Sequence, residues 1–253
     1  MYAIGFYTLV RREIHRFMRL WSQTVLPPVI TMILYFVIFG KMVGSQIAPI
    51  HGAAYMQYIA PGLIMMSVVT NSYLNTVSSF YLLRFQKCIE EILISPMPPS
   101  LILLAFVLGG ISRGLVVGLL VTILSLFFTH LTVHHGLLMI VTVLVTSIVF
   151  SLAGFLNGML ARSFDDITII PTFVLTPLTY LGGVFYSIHM LPAFWQKVSL
   201  FNPILYLVNA FRYSLLGITD IPIVYSLFLM FLLAVFLFGL NYYFLKKGLG
   251  IRT

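Results

Sequence analysis

Long stretches of this chain carry no Asp, Glu, Lys or Arg: 21–40, 42–83, 92–112, 114–161, 167–196 and 221–245. A bilayer core takes about 20 apolar residues per helix, so runs 42–83 and 114–161 exceed one crossing. Each holds a polar turn, GSQIAPIHG at 44–52 and THLTVHHG at 129–136. The pattern therefore predicts six membrane-spanning helices, near 24–43, 58–80, 101–127, 137–160, 168–187 and 222–245. Between the fifth and sixth the apolar pattern is broken: YLGGVFYSIHMLPAFWQKVSLFNPILYLVNAFRY, residues 180–213, is too apolar for an ordinary loop and too interrupted to cross. Apolar backbone that does not span is tolerated at membrane depth only under protein cover or along a wet cavity, so residues 188–212 read as a re-entrant outer segment. Gly182 and Gly183 permit the break, and Pro192 and Pro203 restart short helices. Trp195 and Tyr206 suit the interface, and Lys197 and Arg212 the outer headgroups.

Composition agrees with lipid as the solvent. The 253 residues are 60% hydrophobic and 8% charged, with a mean hydropathy of +1.07. The fold class is an all-α polytopic membrane protein, one transmembrane domain over residues 1–253. On the six-span map Arg11, Arg12, Arg16, Arg19, Arg84, Lys87, Arg162, Lys246, Lys247 and Arg252 share one side, ten of the fourteen basic residues. The positive-inside rule puts that side, and both termini, in the cytoplasm. This bias accounts for the net charge of +8 without nucleic acid as a partner. The one cysteine, Cys88, excludes an internal disulfide.

Two cytoplasmic segments are amphipathic. Over residues 6–24, Phe6, Val10, Ile14, Phe17, Trp21 and Thr24 fall on one helical face while Arg12, Arg16, Arg19 and Gln23 follow another. Such a helix lies in the headgroup layer and leads into the first span. RFQKCIEEILISPMPPS, residues 84–100, alternates charge and apolar side chains at helical spacing until Pro96, Pro98 and Pro99 stop it, with Ser100 placed to cap the next helix. A short rigid helix across a membrane mouth is shaped to be gripped by a partner. Asp165 and Asp166 stand where span five begins, as a capping pair would.

Two polar stripes cross the apolar helices: Ser67, Asn71, Asn75 and Ser78 in span two, and Thr168, Thr172, Thr176 and Thr179 in span five. They read as walls of an uncharged route for an amphiphilic substrate, although Ser and Thr also serve as helix glue. Arg113 is an intramembrane charge among Gly110, Gly114 and Gly118, expected to snorkel or to meet a partner. The sequence holds no phosphate-cradling G-x-x-x-x-G-K-[ST] motif, no metal site is expected, and the mapped spans hold no acid for ion coupling. Energy for uphill movement would then come from another chain. An ion-coupled carrier and a lipid-modifying membrane enzyme using Asp165 and Asp166 are the alternatives.

These residues resemble the membrane subunit of ABC-2-type transporters. The likeness covers nearly the whole chain and is strongest to a permease of enteric bacteria encoded beside its ATPase. LGGVFYSIHMLPAFWQKVSLFNPILYLVNAFR (181–212) is its most specific part, with FMRLWSQTVLPPVITMILYFVIFG, YIAPGLIMMSVVTNSY and EEILISPMPPSLILLA also fitting. The resemblance implies a permease subunit of an exporter, without catalytic residues of its own, in the bacterial inner membrane. It implies a dimer docking two copies of a separate ABC ATPase, with ATP and Mg bound there and no cofactor on this chain. Residues 1–22 would be a connecting helix and 84–96 the coupling helix, with Arg84, Lys87, Glu90 and Glu91 near the ATPase. Ser67, Asn71, Asn75, Ser78, Thr172, Thr176 and Thr179 would face the substrate. Gly182, Gly183, Pro192, Trp195, Asn202, Pro203 and Arg212 would form the outer gate over an amphiphilic, lipid-like or glycan-type substrate.

Overall fold

The computed structural model describes residues 2–44, 46–47, 49–50 and 52–249, without the side chains of Lys41 and Val43. Ser45, Ala48 and His51 of the predicted outer turn, and Arg252 of the basic tail, lie outside the described residues. Helices make up the described chain, and its only β feature there is an isolated bridge between Ile50 and Ala53. They run α1 (Tyr2–Arg19), α2 (Trp21–Thr24), α3 (Leu26–Tyr35, continuing as a π-helix over Phe36–Val43), α4 (Tyr55–Phe85) and α5 (Ile89–Ile94). There follow α6 (Pro99–Leu126), α7 (Gly136–Leu160), α8 (Phe164–Ile170), a π-helix over Pro171–Leu175 and α9 (Thr176–Leu181). A 3₁₀ turn (Ile188–Met190), α10 (Ala193–Ser199), α11 (Pro203–Leu216) and α12 (Ile223–Lys247) complete the chain.

Among the described residues four segments are long and apolar enough to cross a membrane: Trp21–Gly40, Pro99–Leu126, Gly136–Leu160 and Ile223–Lys247. The other two predicted spans depart for physical reasons. α4 has 31 residues, about 46 Å at 1.5 Å per residue, but its Ser, Asn and Thr lower its hydropathy, and other helices bury most of it. The helices of the predicted fifth span run over 164–181 rather than 168–187. Pro171 and Pro177 remove backbone donors, and the helix passes through a π segment in which the Thr176 hydroxyl donates to the Pro171 carbonyl at 3.0 Å. Ser100 caps nothing, because α6 already begins at Pro99.

α4 is the central helix, packed by α6, α7 and α11. Gly110 and Gly114 let α6 approach it: an added Cβ at Gly110 would press on Thr76 and Ser151, and one at Gly114 on Ser72 and Ser147. Small residues at helix crossings permit this approach in lipid, where no hydrophobic force drives helices together. At one end Phe80, Phe106 and Phe155 form a triad with ring centroids 4.3 to 5.5 Å apart. α12 leans on α7, where the Asn241 amide donates to the Leu152 carbonyl at 3.0 Å.

The N-terminal helix departs from its predicted face. It starts at Tyr2, breaks after Arg19, and buries Leu9, Glu13 and Phe17 against the bundle while Trp21 remains 59% exposed. A carboxylate sits at the centre of that buried face.

Candidate functional site

Arg113 sits near the midpoint of α6 and is buried. It does not snorkel. Its Nε and Nη2 donate to Asn71 Oδ1 at 3.2 and 3.0 Å, and Nη2 reaches the Thr24 carbonyl at 3.5 Å. Beside it lies a cavity of about 290 Å³, lined by Gln23, Pro27, Thr31, Ser67, Thr70 and Asn71 among others. Asn71 therefore binds an arginine, and its own amide donates to the Ser67 carbonyl at 3.0 Å.

One to two turns along α4 a second arginine occupies the stripe. Arg16 Nη2 donates to the Asn75 carbonyl at 2.8 Å and to Asn75 Oδ1 at 3.0 Å, and Nη1 to Ser78 Oγ at 3.5 Å. Glu13, 1% exposed, accepts from Ser79 Oγ at 2.5 Å and pairs with Arg12 at 3.0 Å and Arg16 at 3.7 Å. Burial pushes the Arg16 guanidinium below its ordinary value, with the Glu13 carboxylate acting against that shift. Arg12, Glu13, Arg16, Arg19 and Ser79 line a cavity of about 500 Å³ at this end. Charge thus stands along a stripe that the sequence read as uncharged.

The span-five stripe does not meet it. Thr172 and Thr176 are exposed, and buried Thr179 donates to the Leu175 carbonyl of its own helix at 2.6 Å. A buried row and an exposed row do not bound one channel within a single chain. Ser163 caps α8 and forms a capping box with Asp166, whose Oδ2 accepts the Arg162 and Ser163 amides at 2.7 and 3.1 Å. Those two amides hold the Asp166 carboxyl below the usual carboxylate range. Asp166 thus takes the capping role expected of the pair, while Asp165 offers its main-chain carbonyl to the Thr168 hydroxyl at 2.8 Å.

In the 84–96 segment only Ile89–Ile94 is helical, with Ile89 buried and Glu90 and Glu91 exposed in its first turn. Lys87, exposed at φ 60°, turns the chain between α4 and α5. Arg84 does not join this charged face. Its guanidinium donates to the Met159 and Ala161 carbonyls at the end of α7 and stacks 5.4 Å from the Tyr81 ring, tying α4 to α7.

The outer segment splits into two unlike pieces. α11 is core: Asn202 caps it by accepting the Ile204 amide at 3.0 Å while its own amide donates to the Leu178 carbonyl, and Pro203 takes the first helical position. Arg212 is 3% exposed and donates to the Gly183 carbonyl at 2.6 Å and the Tyr58 carbonyl at 3.3 Å, with its guanidinium 3.9 Å from the Tyr58 ring. It reaches no headgroup. Tyr206 is likewise buried, with its hydroxyl on the Leu200 carbonyl at 2.6 Å. Gly183 takes φ 69° at the break, where a side chain would be strained, and Gly182 packs against Ile204. α10, which Pro192 caps, presents Phe194, Trp195 and Val198 outward, with exposed Lys197 beside them.

Glu13 is the residue that sequence reasoning missed. Its signal was present, since it lies four residues from both Leu9 and Phe17, but a carboxylate beside Arg12 reads as surface. Asn209 was missed as well: it accepts the Asp220 amide and donates to the Ile221 carbonyl, both at 2.8 Å, fixing the turn into α12. Among the described residues no three His, Cys, Asp or Glu gather to hold a metal.

Known proteins are similar to this sequence. Residues 5–216, from α1 to the end of α11, match the ABC-2 type transporter family. The inner membrane transport permease YadH of Escherichia coli K12 is 51% identical over 255 residues, covering 100% of this chain and 99% of that protein. Nodulation protein J of Rhizobium leguminosarum bv. viciae is 24% identical over 189 residues, covering 73% of this chain and 72% of its own. With the family matched across most of its length, the chain belongs to the ABC-2 type transporters, as a membrane permease subunit rather than an enzyme.

Proposed function

We propose that this chain is the permease of an exporter in the bacterial inner membrane, moving an amphiphilic, lipid-like or glycan-type substrate out of the cytoplasm or inner leaflet. The match of residues 5–216 to the ABC-2 family carries the reading, and YadH is itself named an inner membrane transport permease. Six spans cross the membrane with both termini in the cytoplasm, and ATP and Mg are bound by two copies of a separate ABC ATPase. The exposed Glu90 and Glu91, on a one-and-a-half-turn helix followed by Pro96, Pro98 and Pro99, are the contact offered to that ATPase. A second copy of the permease completes the route. The outward faces of α3 and α8–α9 support this, for Ile30, Leu34, Ile38 and Phe173 are all exposed. The outer gate is then α10 with its exposed Trp195, hinged on the buried α11.

The test is co-purification with the separate ABC ATPase, followed by ATP hydrolysis with and without this chain. Glu90→Arg with Glu91→Arg is expected to abolish the complex and its coupled hydrolysis. Assembly and hydrolysis indifferent to both reversals would remove α5 as the docking helix, and an ATPase that never associates would remove the permease reading.

A further inference from the structure

Arg113 presents a problem in charge. A cation near the midpoint of a membrane helix is costly and calls for a counter-charge or water. Among the described residues no carboxylate lies within ion-pair distance of it. Its acceptors are neutral: Asn71 Oδ1, used twice, and the Thr24 carbonyl. The charge whose field reaches it is another cation, Arg16. Its third nitrogen, Nη1, has no hydrogen-bond partner among the described residues, and the residue lines the 290 Å³ cavity between α3 and α4. The cavity joins two kinds of wall. Gln23, Thr31, Ser67, Thr70 and Asn71 supply polar groups near the guanidinium, and Pro27, Pro28, Met32, Met66 and Leu74 supply an apolar side. Gln23, Pro27 and Thr31 are exposed, so it opens outward along α3 instead of being sealed.

We propose that this cavity binds the anionic headgroup of an amphiphile, with Arg113 as its counter-charge and the α3–α4 apolar wall against its tail. An anion there receives a charge-assisted hydrogen bond from Nη1, further bonds from the Thr31 and Thr70 hydroxyls and the Gln23 amide that line the cavity, and neutralises a desolvated cation. A zwitterionic headgroup would bring a second cation to a site that already holds Arg113. The inference rests on the permease reading and narrows its substrate class from any amphiphile to an anionic one.

The experiment uses the permease–ATPase complex in detergent, with bound lipid measured by native mass spectrometry. The probes are phosphatidylglycerol, phosphatidylcholine, and glycerol phosphate as the headgroup without tails. Wild type should retain phosphatidylglycerol over phosphatidylcholine by roughly tenfold, the worth of one charge-assisted hydrogen bond. Arg113→Met should bring that ratio near one, and Arg113→Lys should keep part of it. Arg19→Gln, in the interfacial segment, should leave the ratio intact. Glycerol phosphate should fail to displace the lipid, which assigns the site to amphiphiles and not to free anions. Equal retention of the two lipids by wild type, a preference surviving Arg113→Met, a preference lost in Arg19→Gln instead, or displacement by glycerol phosphate would each overturn the proposal. Failure of the complex to form is a separate result and counts against the permease reading, since ATPase docking on α5 does not require lipid selectivity. Co-purification of the Arg113→Met complex, read first, separates loss of binding from loss of folding.

Discussion

Arg212→Met separates a buried bolt from a headgroup anchor. In the fold Arg212 ties α11 to two places at once, the Gly183 carbonyl in the break after α9 and the Tyr58 carbonyl in α4. Methionine keeps the apolar stem of similar length and removes the guanidinium. The Tyr58 carbonyl keeps its ordinary helical donor four residues on, within α4. The Gly183 carbonyl has no other donor among the described residues, and an orphaned buried acceptor costs about 1–3 kcal/mol. Loss of the cation over the Tyr58 ring at 3.9 Å adds about 0.5–2 kcal/mol. Relief of a desolvated charge works the other way. The net expectation is a loss of about 2 kcal/mol, or roughly 4–8 °C in the melting temperature of the purified permease, by the scaling for domains of similar size. Arg212→Lys should fall between, because an ammonium cannot span both carbonyls in a fixed fork. An arginine reaching headgroups would behave as a surface residue, within about 0.5 kcal/mol of wild type. A melting temperature for Arg212→Met within about 1 °C of wild type would therefore refute the bolt.

Glu13→Leu leaves Arg12 without its partner and Ser79 without its acceptor, while Arg16 keeps Asn75. Breaking a buried ion pair costs about 3–5 kcal/mol, and the half-exposed Arg12 places this one near the lower end. Trypsin should then cut faster at exposed Arg11 and Arg19 of a loosened α1, whereas an unchanged cleavage rate would show that Glu13 does not hold the helix down. Asp166→Ala should shorten or fray α8. The folded Asp166 carboxyl titrates below the unfolded one, so its contribution is present above the unfolded value and is lost as pH falls through the folded one. The difference in melting temperature between wild type and Asp166→Ala should be flat near neutral pH and close as pH drops below about 4; a difference persisting there would argue against the capping carboxylate.

Much of this architecture was legible because apolar run length and proline position act locally. The spans at 101–127 and 137–160 fall within a residue or two of α6 and α7, since Pro99 and the polar turn before Gly136 set their starts. The outer break at Gly182–Gly183 and the restart at Pro203 were read for the same reason, each residue imposing its own backbone geometry. What escaped is non-local. Arg84 was expected near the ATPase, Arg113 to snorkel or to meet a partner, and Arg212 at the headgroups; all three donate to protein oxygens beyond their own helix, most of them main-chain carbonyls. Every residue offers a main-chain carbonyl, so no pattern along the chain marks the one that will receive a guanidinium.

The span-two stripe sharpens the point about what periodicity can decide. Ser67, Asn71, Asn75 and Ser78 share a face whether they wet a channel or bind a neighbour, and the spacing is the same in both cases. The choice falls to what stands opposite. Here that is Arg16, delivered by an amphipathic helix whose buried face is centred on Glu13, and Arg113, delivered by a glycine-rich helix that can approach closely enough. Two cations along the stripe change the chemistry of any route beside it. An uncharged lining would select amphiphiles by size and apolar area alone, whereas a lining that shows the free Nη1 of a buried arginine selects them by headgroup sign. The same two contacts also join α1 to α4 and α6 to α4. A ligand anion competing for Arg113 would thus act on the packing of the helices that carry its own path.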